Sequence, residues 1–155
     1  MKRSNNIFTE KHIIENILKG YSKNLDSQIG FYPPDIRKML KYIHNHLFEN
    51  TLTINEVKNA CQVRNNNITT KFRMLVGSGT REYVINQRLK AAETILRERE
   101  VNIYLLANII GYTEEAFSKL FKRVTGDSPL QYREKVLREM DKRNEKEKIL
   151  RNTDK

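Results

Sequence analysis

Apolar residues at Ile103, Leu106, Ala107 and Ile110 recur at helical spacing, and the pattern breaks at Gly111, a residue suited to the left-handed conformation that closes helices. Thr113 followed by Glu114 and Glu115 predicts an N-cap with acids in the first turn of a second helix, whose apolar stripe is Phe117, Leu120, Phe121 and Val124. Gly126 closes that helix, and Ser128-Pro129 opens a third carrying Tyr132 and Val136. Two helices on a tight, glycine-containing turn have the layout of a helix-turn-helix, whose second helix enters a DNA major groove.

Upstream, Thr9 reads as the cap of a short helix with Ile13, Ile14, Ile17, Leu18 and Tyr21 on one face and Gly20 near its end. That face must pack either on the rest of the chain or on a second copy through residues 9–21. A polar loop from Ser22 to Tyr32 leads to Pro34, which starts a helix with Ile36, Met39, Leu40, Ile43 and Leu47 inward, running to about Glu49. Thr53 caps a short helix with Ile54, Val57, Ala60 and Cys61, and Val63 occupies a turn. The next helix spans Asn65 to Val76 with Ile68, Phe72 and Leu75 inward and stops at Gly77-Ser78-Gly79. Thr80 then caps a long helix from Arg81 to about Arg99, with Tyr83, Val84, Leu89, Ala92, Ile95 and Leu96 on its apolar side. At 1.5 Å per residue it is roughly 25–30 Å long, enough to hold two modules about one DNA turn apart. Residues 138–155 alternate basic and acidic side chains and either extend the last helix or fray.

The two short helix pairs are copies of one another. At an offset of 49 positions with no gap, Ile54 falls on Ile103, Val57 on Leu106, Cys61 on Ile110, Val63 on Tyr112, Ile68 on Phe117, Phe72 on Phe121, Gly77 on Gly126 and Tyr83 on Tyr132. With no Asn-Gly or Asp-Gly hairpin and few alternating runs, the expected fold is all-α: two helix-turn-helix, homeodomain-like subdomains joined by a long linker helix, plus an N-terminal helical extension.

Charge sharpens this picture. The 155 residues carry 29 Lys and Arg against 19 Asp and Glu, a formal +10, which suits a polyanion partner that releases counterions on binding. One cysteine, Cys61, excludes an internal disulfide and a cysteine zinc cluster, and fits a reducing cytoplasm. No run is long and apolar enough to span a membrane, and no signal peptide is visible. His44 and His46 are two apart on a predicted helix and so point to different faces, and no phosphate loop or nucleophile arrangement occurs. No catalytic residue, cofactor or metal site is expected, and the reading is not an enzyme.

The segment IIGYTEEAFSKLFKRVTGDSPLQYR closely resembles the C-terminal signature of the AraC/XylS transcription regulators, and Leu52 to Leu96 resembles their first motif and linker helix. The resemblance covers about 34–138, and the chain is similar to the short members without a ligand-sensing domain. It implies a DNA-binding domain with a first helix-turn-helix at about 52–77, a linker helix at about 81–99 and a second helix-turn-helix at about 102–126. Residues 1–33 form the helical extension and 139–155 a charged tail. It also implies reading of two successive major grooves, transcriptional activation and contact with RNA polymerase. Three positions depart from the family pattern. The second motif is one residue shorter between Gly111 and Phe117, Lys58 replaces a small residue, and Arg64 stands where a Ser or Thr caps the first recognition helix.

Outward positions of the first recognition helix are Asn65, Asn66, Thr69, Thr70 and Arg73. Asn can bond bidentately to adenine and Thr can meet a thymine methyl. By resemblance, Asn66, Thr69 and Thr70 take the family's base-contact positions. In the second helix Glu114, Glu115, Ser118, Lys119 and Lys122 face outward; of these Glu115, Ser118 and Lys119 are base-contact candidates, Lys119 at a position where the family has a basic contact. Acids at a helix N-terminus are also favourable without any ligand. Arg73, Arg81, Arg88, Lys122 and Arg123 are the phosphate-contact candidates, with Lys90 and Arg133 beside them. The alternative from another class is a helical protein-interaction adaptor or anti-activator that keeps the fold without specific DNA reading.

Overall fold

The computed structural model describes residues 2–64 and 67–153, with side chains from residue 6 onward, and all regular structure among them is helical. Eight helices follow in order: α1 (Lys2–Asp26), α2 (Pro34–Asn45), α3 (Ile54–Ala60), α4 (Ile68–Val76), α5 (Thr80–Glu98), α6 (Ile103–Ile109), α7 (Glu114–Thr125) and α8 (Pro129–Thr153).

Two cores divide them. The first gathers Ile36, Met39, Leu40, Ile43 and Leu47 of α2 and its end, Val57 of α3, and Ile68 and Phe72 of α4, closed by Tyr83 and Val84 at the start of α5. The second takes Leu89, Ala92, Ile95 and Leu96 from the rest of α5, with Leu106 of α6, Phe117 and Phe121 of α7, and Tyr132 of α8. One helix therefore ends the first unit and begins the second.

The 49-position repeat extends beyond the helix-turn-helix pairs and reaches side-chain detail. Ile36, Leu40, Ile43 and Leu47 of the first unit correspond to Ile85, Leu89, Ala92 and Leu96 of the second. Phe72 meets Tyr83 edge-on at 5.9 Å, and Phe121 meets Tyr132 edge-on at 5.3 Å. Each tyrosine then bonds to a polar partner one repeat apart: Tyr83 Oη to His44 and Tyr132 Oη to Glu93, both at 2.7 Å. Thr53 and Asn102 are equivalent N-caps, accepting from the backbone N–H of Glu56 and Leu105. The turn residues Gln62 and Gly111 are equivalent too, and both have positive φ, 54° and 93°.

Several predicted boundaries move. The first helix does not stop near Gly20 but runs on to Asp26, absorbing the start of the expected loop. Ile14 and Leu18 are buried on the second core; the roughly 1 kcal/mol that a helical glycine costs is offset by the residues beyond it, Tyr21 and Leu25, which pack on the first core. The apolar face of residues 9–21 is thus spent on the same chain. Beyond Leu18, Tyr21 and Leu25 of α1 reach the first core, and Tyr21 Oη donates to Gln87 of α5 at 2.6 Å. Burial pushes the Tyr21 hydroxyl up to about 12. α2 ends at Asn45 instead of about Glu49, because the following carbonyls turn toward Arg88. Thr80 is not the cap of α5: Gly79 takes that place and the Thr80 hydroxyl is buried. Leu75 and Val124, expected inward, are about half exposed at 45% and 54%, since Val76 takes the inward turn in α4 and Val124 faces a cleft.

His44, fully buried, joins three helices. Its Nδ1 lies 2.7 Å from Asp26 Oδ1 at the end of α1, and its Nε2 lies 2.7 Å from Tyr83 Oη in α5. A neutral ring with the proton on Nδ1 satisfies both, donating to Asp26 and accepting from Tyr83. Burial holds the imidazole below its ordinary range, and the Asp26 carboxylate offsets part of that. Between the lowered value and about 6.5 the folded chain binds fewer protons than the unfolded chain at this group, so its stability rises with pH in that window. We expect the melting temperature to fall as pH drops from about 7 to about 5, and His44→Gln to flatten that fall. Thermal melts across this range check it; an equally steep fall in the variant would assign the effect to another group.

Candidate nucleic-acid interface

The second helix of each pair is placed by a short scaffold helix and a tight turn. In the second unit Tyr112 N–H returns to Ala107 O at 2.9 Å, Gly111 takes the left-handed conformation, and Thr113 Oγ1 accepts from Ala116 N–H at 3.2 Å to start α7. Phe117 and Phe121 are buried, which turns Glu114, Glu115, Ser118, Lys119, Lys122 and Arg123 away from the core. In the first unit Ile68 and Phe72 anchor α4, and Lys71 pairs with Asp35 of α2 at 2.6 Å. The Lys71 ammonium holds the Asp35 carboxyl below its usual range. Asn65 and Asn66 lie outside the described residues. Thr70 and Arg73 are exposed and Thr69 is half-buried on the outer side of α4.

The outer faces of α4 and α7 border one cleft. Thr69 and Arg73 of α4, Arg81 and Asn86 of α5, and Arg123 and Val124 of α7 line it. Three of the predicted phosphate-contact residues, Arg73, Arg81 and Arg123, are thus brought together from three helices. Gly79 gives Arg73 room there: a Cβ at that position would lie 3.1 Å from Arg73 Nη2. Glu82 is the acid in the same lining. Asn86 is a polar member that the sequence reading passed over, because it lies mid-helix between apolar landmarks.

Other candidates are engaged elsewhere. Arg88 is only 5% exposed and bonds to backbone carbonyls inside the protein, so it is unavailable to phosphate. Arg133, with a side chain 12% exposed, pairs with Glu100 at 3.4 Å. Lys119 pairs with Glu115 at 2.7 Å on the open face of α7, their side chains about three-quarters exposed. Such a solvent-facing i,i+4 pair contributes little and is readily exchanged for another partner.

Two helix-turn-helix units on a shared helix, with both second helices bordering an arginine-lined cleft, define a double helix-turn-helix domain. Residues 59–135 match the model of a helix-turn-helix domain family. The chain is 30% identical over 105 residues to a putative AraC-like transcription regulator of Streptomyces antibioticus, covering 67% of this chain and 34% of that protein. It is similar to the C-terminal domain of AraT, a response regulator from Geobacillus stearothermophilus, with a TM-score of 0.64 and 27% identity over 68% of this chain and 88% of that one. The DNA-binding domain of AdpA, solved in complex with a target DNA, shares the fold at a TM-score of 0.59 and 22% identity over 65% of this chain and 91% of that one. The chain thus contains a helix-turn-helix domain of the AraC type. It spans about a third of the length of the curated relatives it matches. No helix of the described residues is long and apolar enough to cross a membrane.

Because Thr113 supplies the side-chain cap of α7, Thr113→Ala should cost about 1 kcal/mol, a drop of roughly 3 °C in melting temperature. A melt unchanged within about 1 °C would show that the cap contributes nothing.

Proposed function

We propose that the protein is a sequence-specific double-stranded DNA-binding transcription regulator that reads two successive major grooves. The observation that supports this most directly is the cleft in which Arg73, Arg81 and Arg123 converge between the outer faces of α4 and α7. With both helices lying in grooves, the phosphates that pass between them meet this cleft, where arginine forks suit their geometry. Asn65, Asn66, Thr69 and Thr70 read bases in one groove; Ser118 and Lys119 read the other once Lys119 exchanges Glu115 for DNA. The burial of Ile14 and Leu18 within the chain favours binding as a monomer over a homodimer through residues 9–21. From the family resemblance we further propose that the bound protein activates transcription by contact with RNA polymerase, in the cytoplasm.

Selection from random duplex DNA followed by footprinting should yield an asymmetric site of roughly 20 base pairs. No enrichment would favour the protein-interaction alternative and sink the regulator reading. On the selected site Arg123→Ala should weaken all sequences about equally and reduce the salt slope by about 1, whereas Asn66→Ala should relax preference at one or two positions. Glu115→Ala should raise affinity for every sequence by removing an acid that faces phosphate; a loss of preference at a cytosine would instead make Glu115 a reader. A promoter carrying the site, fused to a reporter, should respond to the protein with increased transcription; repression would refute the activator assignment.

A further inference from the structure

Arg88 occupies the repeat position of Met39, a fully buried core residue of α2. Its own side chain leaves the second core and turns toward the junction of the two units. Nε donates to Leu47 O at 2.6 Å and Nη2 donates to Glu49 O, both in the turn after α2. The other side of the guanidinium lies against the turn that launches α7. Its Cζ is 5.0 Å from the centre of the Tyr112 ring. A Cβ at Gly111 would come within 3.0 Å of Cζ and Nη1, so the bare backbone there is in contact with the fork. One rigid, planar group thus bridges the turn after α2 and the turn two residues before α7. On the first side the connection continues through α2 to the Asp35–Lys71 pair on α4.

Burying an arginine on carbonyl oxygens and an aromatic face is costly compared with the methionine that serves at the same repeat position. Packing alone does not call for it. We propose that Arg88 is a positioning residue that fixes the second reading helix relative to the first, and so sets the base-pair spacing between the two groove contacts that the protein accepts. This rests on the two-groove reading above. Lengthening a site by one base pair moves the second contact by about 3.4 Å along the duplex and roughly 35° around it. A strut in contact with both turns cannot follow such a displacement without breaking its bonds.

Two measurements test this on the full chain, with Arg88→Met importing the residue of the paired position. In a Cys61→Ala background, spin labels at Met74→Cys on α4 and Glu114→Cys on α7, both exposed, report the distance between the reading helices without DNA. Arg88→Met should at least double the width of that distance distribution, roughly, while the helical circular dichroism is retained. An unchanged distribution would overturn the strut. Next, the site selected by the wild-type protein is varied by one base pair at its centre. The wild type should lose about tenfold or more in affinity on the altered spacing and Arg88→Met no more than about threefold, its tightest binding being weaker. A merely structural residue would lower stability and leave the spacing preference intact, and that outcome refutes the proposal. If the wild type selects no sequence, the regulator reading fails, and the label distances still decide whether Arg88 fixes the units. Should Arg88→Met fail to fold, Arg88→Lys keeps the charge but cannot span both carbonyls and the ring, and the same distance and spacing outcomes apply.

Discussion

The structure depends on one shared element, α5. Each three-helix unit alone would be below the size at which a core reliably outweighs chain entropy, and neither core closes without this helix. Its first turns supply Tyr83 and Val84 to one unit, and Leu89, Ala92, Ile95 and Leu96 serve the other. The two reading helices are consequently parts of one body. Their relative placement is a property of the fold, set by the cores that α5 shares. α1 reinforces this from the opposite side, placing Ile14 and Leu18 on one core and Tyr21 and Leu25 on the other.

Buried polar contacts tie the seams of this body. His44 ties α1, α2 and α5 through Asp26 and Tyr83, and the equivalent place in the second unit holds Glu93, bonded to Tyr132 and Arg97. The duplication has kept the tyrosine and exchanged its partner: a neutral ring where burial is complete, an acid paired with arginine where solvent is near. Cations at the surface can then remain on the outer faces of α4 and α7. Arg73, Arg81 and Arg123 gather in the cleft between those helices, and the formal +10 of the whole chain adds a field of longer range.

Most of the fold could be read from the sequence because the landmarks were local. Thr53 and Thr113 cap helices where their spacing to the apolar stripes indicated, and Gly77, Gly111 and Gly126 adopt left-handed φ at the helix ends and turn where they were expected. Nonlocal effects were not legible. Gly20 looked like an end, but tertiary burial on both sides carried α1 past it. Arg88 looked like a surface cation because helical periodicity places long basic residues at boundaries; only the approach of Leu47, Glu49 and Tyr112 makes its position internal. Convergence of Arg73, Arg81 and Arg123 has no sequence signature, since it depends on how α4 and α7 flank α5. Gln62 hid the turn equivalence to Gly111, being a residue that seldom adopts positive φ.

The arrangement in which one unit's last helix is the next unit's first is, in principle, open-ended, and α8 shows how this chain stops counting. α8 bears the same relation to the second unit that α5 bears to the first, with Tyr132 in the place of Tyr83, and its 25 residues are long enough to found a third core. Yet the positions that would begin that core, matching Leu89, Ala92, Ile95 and Leu96, are Arg138, Asp141, Asn144 and Glu145, all exposed. Charge at those sites terminates the array as the polar outer face of a capping repeat terminates a solenoid. The hydrophobic register that makes α5 the founder of a second core is therefore not continued along α8.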